Sequence, residues 1–237
     1  MRRLLRPLLL GAPALLLLCL GAPNDGRAGD PATVTVSGTV QFLGDAPAPS
    51  PVTITQDIDY CGKTALHNEN LLVSASKGLA NVVVYVQGVT GGKAAVPGVA
   101  KLDNTRCRYE PHVVAMVVGS ELQIGNNDPI LHNTHARLPK ADVFNVALPM
   151  EGQVIERTID KMGLMKVGCD AGHDWMSAWI ATFDHPYFAV TAADGTFSIP
   201  DLPPGEYTLV TWHEKLGKRT QVIQATGGDL GVDLAYQ

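Results

Sequence analysis

Apolar residues fall at alternate positions at Val34, Val36, Val40 and Phe42, interrupted only by Gly38. A period of two is that of a strand buried on one face. The run NVVVYVQ at 81–87 is β-branched and nearly continuous, which predicts a strand buried on both faces. Short apolar stretches recur at 112–118, 121–124, 143–148, 153–158 and 164–167. No segment sustains a helical period, and at most a single helical turn fits within the loops. In the last fifty residues, 188–191 and 196–199 flank Ala193-Asp194-Gly195. That predicts a hairpin, because Gly supplies the positive φ of the turn. Pro203-Pro204-Gly205 is a second turn before a strand at 207–212, and 221–223 and 230–234 complete the series. The 24 Gly and 16 Pro among 237 residues punctuate these runs, and the pattern predicts an all-β protein.

Residues 1–28 differ. Arg2, Arg3 and Arg6 precede an apolar stretch at 7–20, and Gly26-Arg27-Ala28 offers small residues, the composition of a cleaved secretory leader. Pro13 breaks the stretch, and the 17 uncharged residues of 7–23 fall short of the ~20 that a membrane span requires. Leu18, before Cys19, stands where a lipoprotein signal needs a small residue. The leader holds four Arg and one Asp, so 14 basic and 22 acidic side chains remain, a net charge of −8. This argues against nucleic acid and favours a neutral or basic protein partner. The expected location is periplasmic or secreted, with no membrane span in the mature chain. Three cysteines then remain in an oxidising compartment, Cys61, Cys107 and Cys169, an odd number.

The chemistry concentrates in Gly168-Cys169-Asp170-Ala171-Gly172-His173-Asp174-Trp175-Met176, where a thiol, an imidazole and a thioether are spaced C-x3-H-x2-M. Upstream, Asn126-Asn127-Asp128-Pro129-Ile130-Leu131-His132-Asn133 supplies a second histidine after a strand. One soft sulfur, two imidazoles and a weak thioether are the ligand set of a mononuclear blue-copper site, which serves both oxidation states of copper. The pattern resembles a cupredoxin. The resemblance implies His132 as the early ligand, Asn133 as its neighbour bracing the ligand loop, and Cys169, His173 and Met176 as the remaining ligands to one type 1 copper. It makes 177–183 the closing strand, with His173 at the loop surface as the electron port. The spacing also matches half of a binuclear copper site, but that requires a second cysteine four positions earlier, and residue 165 is Met.

The string TAADGTFSIPDLPPGEYTL at 191–209 resembles the carboxypeptidase-regulatory-like (transthyretin-like) β-sandwich, whose opening strand is like Val36-Ser37-Gly38-Thr39-Val40. Tyr60-Cys61-Gly62, Cys107-Arg108-Tyr109-Glu110-Pro111-His112, His132 to His135, the Cys169 loop, His185-Pro186 and Trp212-His213-Glu214 occur in order. Together they resemble periplasmic cupredoxin-like proteins of the methylamine-utilization or carboxypeptidase-regulatory-like type. The fold implied is a cupredoxin-like Greek-key β-sandwich at 100–186, combined with a regulatory-like β-sandwich whose segments are 33–90 and 187–237. The alternative is three separate β units in a row. The function implied is electron transfer with a redox protein such as a c-type cytochrome or a dehydrogenase, and not enzyme catalysis. The alternatives are a copper-carrying protein without a redox partner, and a non-catalytic interaction or carbohydrate-binding module.

With Cys169 as a ligand, pairing Cys61 with Cys107 resolves the odd count. It closes a loop worth about 4 kcal/mol of chain entropy. Two alternatives stand beside it: a disulfide from Cys169 to either cysteine, and Cys61 and Cys107 as separate ligands. His135 competes with His132 but lacks the following Asn. His112, His135, His185, His213 and Glu214 are candidates for a second metal or proton-handling site if the two units touch. No nucleophile elbow, phosphate loop or paired-carboxylate motif stands out.

Overall fold

The computed structural model describes residues 33–237, so the leader expected at 1–28 lies outside the described residues. The strands run β1 (Val34–Phe42), β2 (Val83–Gln87), β3 (Val99–Thr105), β4 (Arg108–Glu110), β5 (Val113–Val117), β6 (Glu121–Asn126), β7 (His132–Leu138), β8 (Ala141–Leu148) and β9 (Val154–Thr158). They continue with β10 (Gly163–Gly168), β11 (Ser177–Phe183), β12 (Phe188–Val190), β13 (Thr196–Leu202), β14 (Gly205–His213), β15 (Gly217–Ala225), β16 (Leu230–Gly231) and β17 (Leu234–Tyr236). One helical turn, α1 (Ile58–Cys61), lies between β1 and β2. The protein is all-β, and among the described residues no helix is long and apolar enough to cross a membrane.

Four sheets pair into two sandwiches. The first has β13-β1-β16 with β17 also on β1, facing β12-β2-β14-β15. Val36, Val40, Val84, Val86, Ile199 and Leu209 fill the space between them. The second has β5-β11-β10-β7-β8 facing β4-β3-β6-β9, around Leu102, Leu122, Ile124, Met165 and Ile180. The chain therefore leaves the first sandwich after β2, builds the second from β3 to β11, and returns through β12.

The valine-rich stretch around β2 is buried on both faces, as its unbroken apolar run predicts. Val84 and Val86 enter the first core, while Val83 and Tyr85 meet Val113, Ala181 and Phe183 of the second sandwich. Trp179 on β11 and Trp212 on β14 continue that contact edge to face, ring centroids 4.8 Å apart.

The turn at Ala193-Asp194-Gly195 forms, but the hairpin does not. β12 pairs with β2 and β13 with β1, so the two strands diverge into opposite sheets. The turn is a corner pressed against β1. A Cβ on Gly195 would lie 2.4 Å from the Val40 carbonyl oxygen, and one on Gly78 would lie 1.7 Å from that of Asp194. Only glycine admits this approach of backbone to backbone.

Candidate metal centre

Three backbone devices aim the central side chains. The loop after β6 is organised by the buried Asn126, whose amide donates to the carbonyls of Ile130 and Leu148, both at 2.9 Å, and whose Oδ1 accepts the Asp128 N–H at 3.0 Å. This brings the chain into β7 with His132 pointing inward. The β3–β4 connection is a two-residue loop, Arg106-Cys107, with φ of 52° and 58°. Positive φ at both positions is the pattern of a type I′ turn, unfavourable for side-chain-bearing residues. Asp128 offsets that cost by accepting the N–H groups of Arg106 and Cys107 at 2.7 and 2.8 Å. Cys61 and Cys107 form a disulfide, which ties α1 to this turn. The third device is the 169–176 loop between β10 and β11, which bends at Gly172 (φ 89°) and closes with the Met176 N–H on the His173 carbonyl.

These devices converge on His132, Cys169 and His173, all buried, with ligand atoms within 4.8 Å of one another. His132 Nδ1 stands 3.1 Å from His173 Nδ1, and His173 Nδ1 stands 3.6 Å from Cys169 Sγ. Each Nε2 faces a carboxylate: Asp128 Oδ2 at 2.8 Å from His132, and Asp57 Oδ2 at 2.8 Å from His173. A carboxylate on the outer nitrogen fixes the tautomer and leaves Nδ1 as the donor toward a metal. The separations suit one ion bonded at about 2.0–2.3 Å to nitrogen and sulfur. Cys107 also approaches Asp128 and His132, but its sulfur is in the disulfide and offers no thiolate.

The electrostatics favour an ionised sulfur. Burial opposes the Cys169 thiolate, yet His132, His173 and the backbone N–H groups of Ala171 and Asn133 outweigh it and bring the thiol down to about 6. Burial likewise opposes charge on both imidazoles, but Asp128 and Cys169 raise His132, and Cys169 and Asp57 raise His173. Asp128 is held low by His132 and the two turn N–H groups despite its own burial. Asn133 points its N–H at Cys169 Sγ, 3.3 Å away, and its Oδ1 accepts the Asp170 N–H at 3.1 Å. Met176 is buried in the same apolar cluster as Cys169.

His173 does not lie at the surface as an electron port. It has no exposure, because Asp57 of the 52–66 segment takes its outer nitrogen and Trp175 of its own loop packs on its ring at 5.1 Å. The disulfide holds this cover in place. Tyr60 adds a hydrogen bond to Asp128 at 3.0 Å, so the same segment reaches both histidines.

The five residues of the expected second site are not brought together. His135 is three positions from His132 on an extended strand and so faces the other way. There it meets Asp170 at 2.7 Å and Asp142 at 3.0 Å. His185 accepts the Tyr187 N–H at 3.1 Å and packs beside Phe183. His213, also buried, accepts the Lys215 N–H at 3.2 Å. Only His112 and Glu214 are directly hydrogen-bonded, through Nε2 and Oε1.

Sequence reasoning missed Asp57 and Asp128. Asp128 stands in the string that led to His132, and Asp57 lies four residues before Cys61, but neither sits in a periodic pattern.

No family model matches the chain. Rhamnogalacturonate lyase A of Aspergillus niger is 28% identical over 93 residues, 38% of this chain. The chain spans about a fifth of the length of the curated relatives it matches, 18% for that lyase. Among solved structures, a purple cupredoxin from Nitrosopumilus maritimus is similar at 21% identity and a TM-score of 0.32, covering 35% of this chain and 99% of the other. Auracyanin A from Chloroflexus aurantiacus is similar at 14% identity and a TM-score of 0.32, covering 37% and 100%. A reduced amicyanin is similar at 19% identity and a TM-score of 0.32, covering 42% and 98%.

Proposed function

We propose that this protein is a one-electron carrier built on a single type 1 copper ion, which His132, Cys169 and His173 would hold as strong ligands with the Met176 thioether as a weak fourth donor. The observation that carries the reading is the convergence of one low-pKa thiol and two imidazole Nδ1 atoms in a buried pocket, each imidazole braced by a carboxylate. Copper bound by this set supplies a one-electron couple with little change of geometry. The chain's own residues do the rest. Asp128 and Asp57 orient the rings, Asn133 steadies the thiolate, and the apolar cluster around Cys169 and Met176 excludes water.

In this reading residues 100–186 are the copper unit, and 33–90 with 187–237 are the regulatory-like sandwich that carries it. The disulfide supports a periplasmic or secreted location after leader cleavage. A neutral or basic redox protein, such as a c-type cytochrome or a dehydrogenase, is the partner the acidic chain fits. One observation favours a second reading, copper carriage without a redox partner: His173 is covered by Asp57 and not open to a docked protein.

Purified protein given one equivalent of Cu(II) separates these. An intense visible thiolate-to-copper band that bleaches and returns with reductant and oxidant supports electron transfer. Tightly held, colourless Cu(I) supports carriage, and failure to bind copper rejects both. Cys169→Ser should remove the band and leave the fold intact; a band that survives rejects Cys169 as ligand.

A further inference from the structure

Next to the Cys169 pocket, the 52–69 segment and the second sandwich line a second, partly open cavity. It has a volume of about 20 Å³, room for one water-sized or ion-sized occupant, and His67, Glu69, Arg108, His112, Trp175 and Ser177 contribute to its wall. The His112 side chain is only 5% exposed. Its Nε2 is hydrogen-bonded to Glu214, which is itself anchored by the Trp179 N–H at 3.0 Å. That contact makes Nε2 the donor to Glu214 and leaves Nδ1 turned toward the cavity. Nδ1 is buried and has no hydrogen-bond partner. The nearest carboxylate oxygen facing it is Glu69 Oε2 at 4.0 Å, too far for a hydrogen bond, while Arg108 holds the other Glu69 oxygen at 3.3 Å. Nδ1 and the Glu69 carboxylate thus face each other across 4.0 Å, a gap that an ion bonded to each at about 2.0–2.2 Å bridges at a wide donor–metal–donor angle. The carboxylate behind the imidazole is the arrangement that orients a metal-binding histidine. Arg106 and Arg108 are outnumbered by Glu69, Glu110 and Glu214 in the surrounding cluster.

We propose that His112 Nδ1 and Glu69 Oε2 hold a second metal ion, a divalent cation of the Zn²⁺ or Cu²⁺ class, in a cavity that shares Trp175 as a wall with the first centre. Glu214 is a positioning residue that fixes the His112 ring. Nitrogen and carboxylate donors select a borderline cation, in contrast to the thiolate of Cys169. Water completes the coordination from the open side of the cavity.

The test is metal content after equilibrium dialysis of the full mature chain against Zn²⁺, for the wild type and for Glu69→Gln and His112→Gln. Glu69 is partly exposed, so Glu69→Gln keeps the fold if His112→Gln does not. The expected result is a loss of one equivalent per chain in each folded variant, with the thiolate-to-copper band of the copper-loaded protein unchanged. An unchanged metal count in Glu69→Gln means that water alone fills the gap and overturns the proposal. Loss of one zinc equivalent in a protein that never shows the thiolate band leaves this site standing while the copper reading fails.

Discussion

Asp57 Oδ2 sits 2.8 Å from His173 Nε2, across 116 residues of sequence, and closes the metal pocket at the place where an exposed imidazole edge was expected. Asp57 reaches this position with a φ of 48°, as the residue leading into α1. Its backbone carbonyl accepts the N–H groups of Tyr60 and Cys61, so the unfavourable conformation is held by the turn it starts. The cover is therefore a built element whose two functional contacts, Asp57 with His173 and Tyr60 with Asp128, lie three residues apart.

Removing the carboxylate tests that role. Asp57→Ala should lower copper affinity about 10-fold, the low end of what loss of a partner behind a ligating histidine costs. Competition titration against a chelator of known strength measures it. An affinity equal to wild type would mean that His173 is oriented by Trp175 packing alone.

The disulfide should act on both stability and the site. Replacing Cys61 and Cys107 together by Ala opens a loop of 46 residues and should cost about 2–4 kcal/mol in denaturant unfolding. It should also weaken copper binding, because α1 loses its tie to the Arg106-Cys107 turn that holds Asp128. A stability loss with unchanged metal affinity would separate the cover from the disulfide.

Much of this was legible from periodicity, and the failures have physical causes. β2 announces itself by a β-branched run that nothing else in the chain competes with, whereas β11 was expected only from the family resemblance. β7 was invisible as a strand because its first buried positions are His132 and Thr134, so alternating apolar residues begin only at Ala136 and Leu138. β3 likewise spends a buried position on a polar residue, Asn104. The turn at Gly195 was readable from local chemistry, but the sheet that each flanking strand joins is decided by Val40 and Gly78, far away in sequence. Cys169, His173 and Met176 share one loop and could be found together. Their carboxylate braces come from two other loops and act through tertiary contacts, which sequence spacing does not encode.

Met176→Leu should keep the thiolate-to-copper band and raise the reduction potential, since a weak donor that favours Cu(II) is lost. The side chain is 2% exposed and the substitution conserves volume, so the stability cost should stay below about 1.5 kcal/mol. Voltammetry of the two proteins at one pH decides it, and a lowered potential would remove Met176 from the proposed donor set.

His213 gives the protein a pH dependence that is independent of the proposed copper ligands. Burial pushes its imidazole down to about 4, with His112 and Lys215 adding and Glu214 opposing. The ring is 1% exposed, and its Nδ1 accepts the Lys215 N–H, an interaction that protonation of that nitrogen abolishes. In the unfolded chain the same group titrates near 6.5. Between about pH 6.5 and 4 the unfolded state therefore binds more protons than the folded one, so stability falls as pH falls through that window. The full loss is about 3 kcal/mol once the pH is below both values. Carboxylates such as Asp128 and Asp170, held low in the fold, add their own loss below about pH 4. His132 and His173, raised in the fold, act in the opposite sense as pH falls. For that reason the informative quantity is the difference between wild type and His213→Gln, which cancels those shared contributions. Urea unfolding at pH 7, 5.5 and 4.5 should show the wild-type advantage over His213→Gln shrinking steadily with acidity. A constant difference across the series would mean that His213 charges as readily inside the fold as outside it.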